Sequence, residues 1–220
     1  MNVCSLGHEK HVRKLVDTKI GKLYVYDVSL YKNNPGHYCT GQDATSENLI
    51  LEGQWEGHDT KVIKRILEQG NRNKIVVDFG CHIGWYSIMA AQLGYTVLAI
   101  DGDAENLEVL EENASLHNVD HLISTMHVWV DENTAPFVTD RDIELVKIDL
   151  EGNDRWAVKS IMPIIDKVQN LYVEITPAFN GTYPKLVEDL ERKGFTAYYP
   201  NDKEFDHDFS ESQINLRFSR

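Results

Sequence analysis

Between Ile75 and Tyr86 the chain reads Ile-Val-Val-Asp-Phe-Gly-Cys-His-Ile-Gly-Trp-Tyr. A β-branched apolar run ends in an acid, Asp78. Gly80 and Gly84 follow, and then an apolar stretch of helical character. This pattern describes a buried strand that turns through glycines into a helix N-terminus. Free backbone N–H groups and the helix dipole then meet a nucleotide-like ligand. A nicotinamide fingerprint would need G-x-G-x-x-G, and a phosphate-binding loop would need Gly-Lys-Ser/Thr after the glycines. Neither occurs here.

A second acid is in register with the first. The apolar run 97–100 ends at Asp101-Gly102-Asp103, 17 residues after Gly84, near the offset of about 20 expected for a ribose-binding carboxylate. One carboxylate can accept hydrogen bonds from both ribose hydroxyls. These features point to the nucleoside pocket of an S-adenosylmethionine enzyme. Its expected cofactor-facing residues are Asp78, Gly80, Cys81, His82, Gly84, Asp101 and Gly102. Trp129, at the end of a third apolar run, is either a wall for the adenine ring or ordinary core. His82 is either a titratable group in the cofactor turn or a loop residue held by its backbone.

The third group is Lys147-Ile148-Asp149-Leu150-Glu151-Gly152. Side chains alternate along a strand, so Lys147, Asp149 and Glu151 share one side. Charges at the end of a buried strand must pair or face a cavity. Glu174 closes the next strand and can converge with Asp149 beside the glycine turn. Asp149, Glu174 and Lys147 are therefore the candidate catalytic residues, and Asp149 is also a candidate contact to the cofactor's methionine end. Lys147 would offset the clustered carboxylates, act as a base if desolvation lowers its pKa, or form a structural ion pair with Asp149.

These residues need a particular scaffold. Runs at 75–79, 95–100, 122–130, 145–150 and 170–175 read as strands. Helical patterns fall at 85–93, 103–117, 154–165 and 185–193, and a closing strand pair at 195–199 and 213–218. Strands alternating with helices imply a mainly parallel α/β sheet covered on both faces. Leu107, Leu110 and Ala114 should form a buried helical stripe, with Glu105, Glu108, Glu111 and Glu112 on a solvated face. Upstream, 11–16 and 20–28 suggest two short strands or a hairpin, 32–36 and 41–48 loops, and 59–68 a helix. We divide the chain into an N-terminal elaboration, 1–58, and a catalytic domain, 59–220. The elaboration is a candidate lid or acceptor segment, with Tyr38, Trp55 and Glu56 as contacts.

The 220 residues fit one such domain, and the composition is that of an ordinary globule. Cys4, Cys39 and Cys81 show no disulfide spacing, no signal-peptide core is visible, and no apolar run could span a bilayer, so a cytoplasmic setting is expected. A net charge of −13 argues against a nucleic-acid partner. No metal-binding His/Cys spacing is present, and His117 and His121 read as surface residues.

Asp78-x-Gly80-x-x-x-Gly84-Trp85-Tyr86, Asp101-x-Asp103-x-x-Asn106, the stretch 147–152 and Glu174 together resemble the FkbM family of S-adenosylmethionine-dependent methyltransferases over residues 50–177. The chain departs from the family pattern at Cys81-His82, usually Ala-Asn, and at Asp101-Gly102, usually Glu-Pro. The resemblance implies the Rossmann-like class I methyltransferase fold, a seven-stranded, mainly parallel sheet with an antiparallel last strand. It also implies O-methylation of a sugar or glycan hydroxyl. Asp149 and Glu174 would orient that hydroxyl, take its proton, or hold a divalent cation that stabilises the alkoxide. The alternatives are another acceptor, such as a protein side chain or small metabolite, and a non-catalytic cofactor-binding interaction module.

Overall fold

The computed structural model describes residues 11–30, 43–176 and 183–220. Its centre is a seven-stranded sheet in the order β5-β4-β3-β6-β7-β9-β8. Strands β3 (Ile75–Phe79), β4 (Thr96–Asp101), β5 (Ile123–His127), β6 (Ile143–Ile148) and β7 (Val168–Ile175) run parallel. β9 (Ile214–Ser219) is antiparallel to both β7 and β8 (Thr196–Tyr198). This is the class I methyltransferase arrangement, with the expected strand count and antiparallel closing strand.

Every residue of β3 and of β6 is buried, as a strand covered on both faces requires. The connection runs outward from β3 to β5 and then returns to β6. That reversal opens a crevice at the carboxyl ends of β3 and β6. Helices α2 (Gly57–Gln69), α3 (Trp85–Gln92) and α4 (Ala104–Leu116) cover one face of the sheet, and α5 (Asp154–Ile161) and α6 (Tyr183–Arg192) the other. Two apolar clusters, one on each side of the sheet, form the core. Among the described residues no helix is long and apolar enough to cross a membrane.

Three local expectations are corrected. The stretch 41–48 is not all loop, since α1 (Ala44–Glu52) begins inside it. Asp43 caps that helix, accepting from the Ser46 N–H, and Leu49 is buried, so the acid marks a helix start rather than a turn. The third and fourth parallel strands end earlier than their apolar runs, at His127 and Ile148. Residues 128–130 and 149–150 are thereby left in the loops that line the crevice.

The acids of α4 are also not a freely solvated face. The hairpin of β1 (Arg13–Thr18) and β2 (Gly21–Tyr26) lies against them. Arg13 reaches Glu112 at 2.6 Å and Glu108 at 3.4 Å, and Glu105 accepts from the His11 N–H at 2.7 Å. Fully buried Asn113 completes the joint. Its Oδ1 accepts from the Tyr24 N–H at 2.6 Å, and its Nδ2 donates to the Tyr24 and Ile83 carbonyls. His117 likewise meets the hairpin, at the Lys22 carbonyl. The loop expected at 32–36, together with Tyr38, Cys4 and Cys39, lies outside the described residues.

Candidate active site

The glycine turn is fixed by close backbone approach. Gly80 has φ +75°, and a Cβ there would stand 1.8 Å from the Asp149 carbonyl oxygen. Only glycine fits between the ends of β3 and β6. Gly84, with φ +97°, packs against Leu110 in the same way. His82 also takes a left-handed conformation, φ +47°. Its N–H donates to Asp101 Oδ2 at 2.8 Å, while the Gly80 and Cys81 N–H groups donate to the Ile100 carbonyl.

Asp101 ends β4 and borders the cleft. Its other oxygen accepts from the Asp103 N–H at 2.9 Å and from Asn106 Nδ2 at 3.2 Å. Trp129 is not core. It is 70% exposed, and its ring covers Gly102 so closely that a Cβ there would lie 2.6 Å from it. The cleft between these groups measures about 410 Å³, within the range of small-molecule sites. Asp43, from the N-terminal elaboration, borders it too, with Oδ1 3.6 Å from His82 Nε2. Cys81 packs its thiol with Ala99, Leu107 and Leu110, and burial pushes that thiol well above its ordinary pKa.

Lys147 organises the charges at the other end. Its ammonium lies 3.1 Å from Asp149 Oδ2, 3.9 Å from Asp78 Oδ1 and 5.1 Å above the Tyr86 ring. Burial alone would lower its pKa, but Asp149, Asp78 and Glu56 outweigh burial and raise it. Lys147 therefore stays charged, and the option of a neutral lysine base is withdrawn. Asp78 is fully enclosed, accepts from Ser87 Oγ at 2.6 Å, and is pushed up by burial.

Asp149 and Glu174 converge as expected, and Glu56 joins them. One carboxylate oxygen from each lies within 4.8 Å of the others. Glu56 accepts from the Tyr86 hydroxyl at 2.6 Å, and burial raises its pKa. Glu174 is raised to about 8, first by burial and then by the charge of Asp149. Asp154 holds the loop after β6 by accepting from the Leu150 and Gly152 N–H groups, with Glu151 and Gly152 both at positive φ. Sequence reasoning did not single out Asp43, Asp154 or Asn113. The first two are helix-start acids that capping rules could have found, whereas Asn113 carried no signal on a mixed helix face.

Residues 54–148 match the family model of the TRM5/TYW2 methyltransferase domain. Solved structures share the fold. A TehB-like S-adenosylmethionine-dependent methyltransferase from Corynebacterium glutamicum is 15% identical, with TM-score 0.53 over 79% of this chain and 93% of that one. A Streptococcus mutans protein designated a methyltransferase, in complex with S-adenosylhomocysteine, is 14% identical, with TM-score 0.51 over 73% and 96%. The structure of aTrm5 with tRNALeu is 17% identical, with TM-score 0.51 over 97% of this chain and 54% of that one. Among curated proteins none matches significantly.

Residues 54–148 are thus similar to a methyltransferase domain, and the chain shares its fold with S-adenosylmethionine-dependent methyltransferases. The FkbM-like resemblance is overturned by the TRM5/TYW2 match. The sugar or glycan acceptor falls with it, and so does the exclusion of nucleic acid. Most of the motifs that carried the resemblance border one cleft, and that cleft does not by itself report an acceptor. Net charge sums over the whole surface and is silent about any local patch.

Proposed function

We propose that this protein methylates RNA, with tRNA as the substrate class. The observation that carries the reading is the TRM5/TYW2 match, which runs from α2 through β6 and so takes in the glycine turn, Asp101 and Lys147. The fold shared with tRNA-bound aTrm5 supports it.

S-adenosylmethionine supplies an electrophilic methyl on a sulfonium, and the protein's work is to align an acceptor and manage its proton. In this reading Asp101 and Gly102 hold the nucleoside, with Trp129 beside the base. The turn Gly80–Gly84, over buried Asp78, takes the amino-acid end, with Asp149 at its margin. Asp149, Glu174 and Glu56 face the acceptor, and Lys147 keeps their charge tolerable. Glu174, held near neutrality by its surroundings, is the group we assign to receive the acceptor's proton. We assign Asp43 and the start of α1, which border the cleft, as part of its cover, with Asp43 facing His82.

The test is a labelled-methyl assay with S-adenosylmethionine against unmodified tRNA, a saccharide panel and a protein mixture. Label in tRNA supports the reading. Label confined to another acceptor overturns it.

A further inference from the structure

We infer that α5 and α6 form a nucleotide-stacking platform beside the cleft, which receives single-stranded RNA next to the methylated residue. The inference rests on the RNA reading above. It also offers a local site at which a chain of net charge −13 can meet a polyanion.

The platform centres on Trp156. Its ring is half-buried at the start of α5, with the Arg155 guanidinium 4.2 Å and the Lys159 ammonium 5.0 Å from its centroid. Beside it runs a groove of about 250 Å³ bordered by Trp156, Val158, Met162, Leu186, Lys185 and Asp189. An aromatic face over an apolar floor, ringed by cations, is the chemistry that accepts a base and its phosphate without sequence preference. Aliphatic side chains alone would suit a peptide equally well; the cations favour a polyanion.

The charges are available to a ligand. Among the described residues neither Arg155 nor Lys159 has a carboxylate partner in ion-pair range. Lys159 is exposed, so its ammonium can be reached from the groove. The acid of the groove, Asp189, is held by Arg192 at 2.6 Å and Lys185 at 3.5 Å.

Position supports the same use. Asn153 borders the cleft, and the Trp156 N–H donates to the Asn153 carbonyl at 2.9 Å. The Trp156 main chain is thus one helical turn from a residue of the cleft, about 5 Å along the axis. A strand whose target base enters the cleft would bring its neighbour to this surface.

The experiment compares wild type, Lys159→Glu/Lys185→Glu, Trp156→Ala and Trp156→Phe as full chains. Anisotropy of labelled, unmodified tRNA over a salt series is read beside calorimetric S-adenosylhomocysteine binding. We expect about tenfold weaker tRNA binding in the first two variants, as loss of a stacked base or two phosphate contacts implies. The charge-reversal variant should also lose about 1.5 from the salt slope. Trp156→Phe should keep most of the affinity, and cofactor affinity should be unchanged throughout. If wild type binds and methylates tRNA while the charge-reversal variant binds within twofold of it, the platform is refuted and the RNA reading stands. If wild type neither binds nor methylates tRNA, both fall.

Discussion

The His82 N–H donates to Asp101 Oδ2 at 2.8 Å, so the acid placed to hold a ribose also locks the turn beside it. The same carboxylate is tied to the start of α4, accepting through its other oxygen from the Asp103 N–H and Asn106 Nδ2. One side chain therefore links β3, β4 and α4 at the cleft. Asp101→Ala should weaken S-adenosylhomocysteine binding at least about tenfold and cost roughly 1–3 kcal/mol, because backbone donors lose their acceptor. Calorimetry and urea unfolding give the two values. Unchanged affinity in a folded variant would show that the ribose assignment is wrong.

Lys147→Met leaves Asp149, Asp78 and Glu56 without their common counter-ion. Removing one partner of a buried charge cluster is strongly destabilising, about 3–5 kcal/mol. The variant should unfold at a markedly lower urea concentration. Replacing Asp78 by Asn in the same background should recover part of the loss. A single variant as stable as wild type would mean that water, rather than Lys147, compensates the acids.

Glu174 has its pKa raised from 4.5 to about 8 in the folded protein, and Asp154 from 3.8 to about 6. The unfolded chain ionises first as pH rises. Between about pH 4 and 8 it thus binds fewer protons than the folded one, and stability falls with rising pH. Thermal unfolding across that range should show the decline, and Glu174→Gln should flatten its upper part. Turnover should behave oppositely, increasing up to about pH 8 as Glu174 becomes able to accept a proton. Retention of that limb in a folded Glu174→Gln protein would assign the proton to another group.

Asn113→Ala should cost roughly 1–3 kcal/mol for each backbone group of Tyr24 and Ile83 left unpaired. The loss should appear first as protease sensitivity near the β1–β2 hairpin, since the hairpin and α4 would separate locally. Hydrogen exchange at Tyr24 checks this directly. Unaltered protection there would locate the joint in the Arg13 ion pairs instead.

The alternation of apolar runs and glycine turns was enough to read the parallel sheet and the acids at its carboxyl edge. Asp78, Asp101, Asp149 and Glu174 stand at strand ends, where the chain must leave the sheet, and their position follows from strand length alone. Glu56 reaches the same cluster from the N-cap of α2, a tertiary contact with no local signature. The α4 acids looked solvated because helical period reveals which face is apolar, not what packs on the polar one. Lys147 shows the same limit: burial and neighbouring charge shift its pKa in opposite senses, and only the distances decide between them. The acceptor was misread because most of the legible motifs border a single cleft shared by methyltransferases of the same fold, and none of them specifies what is methylated.

The most direct test of RNA methylation is mass analysis of nucleosides from unmodified tRNA after incubation with the protein and S-adenosylmethionine. The account predicts one nucleoside heavier by a methyl group, absent when folded, cofactor-binding Asp149→Ala replaces wild type. Unchanged nucleosides, with the cofactor bound and the methyl delivered to a different acceptor, would contradict it.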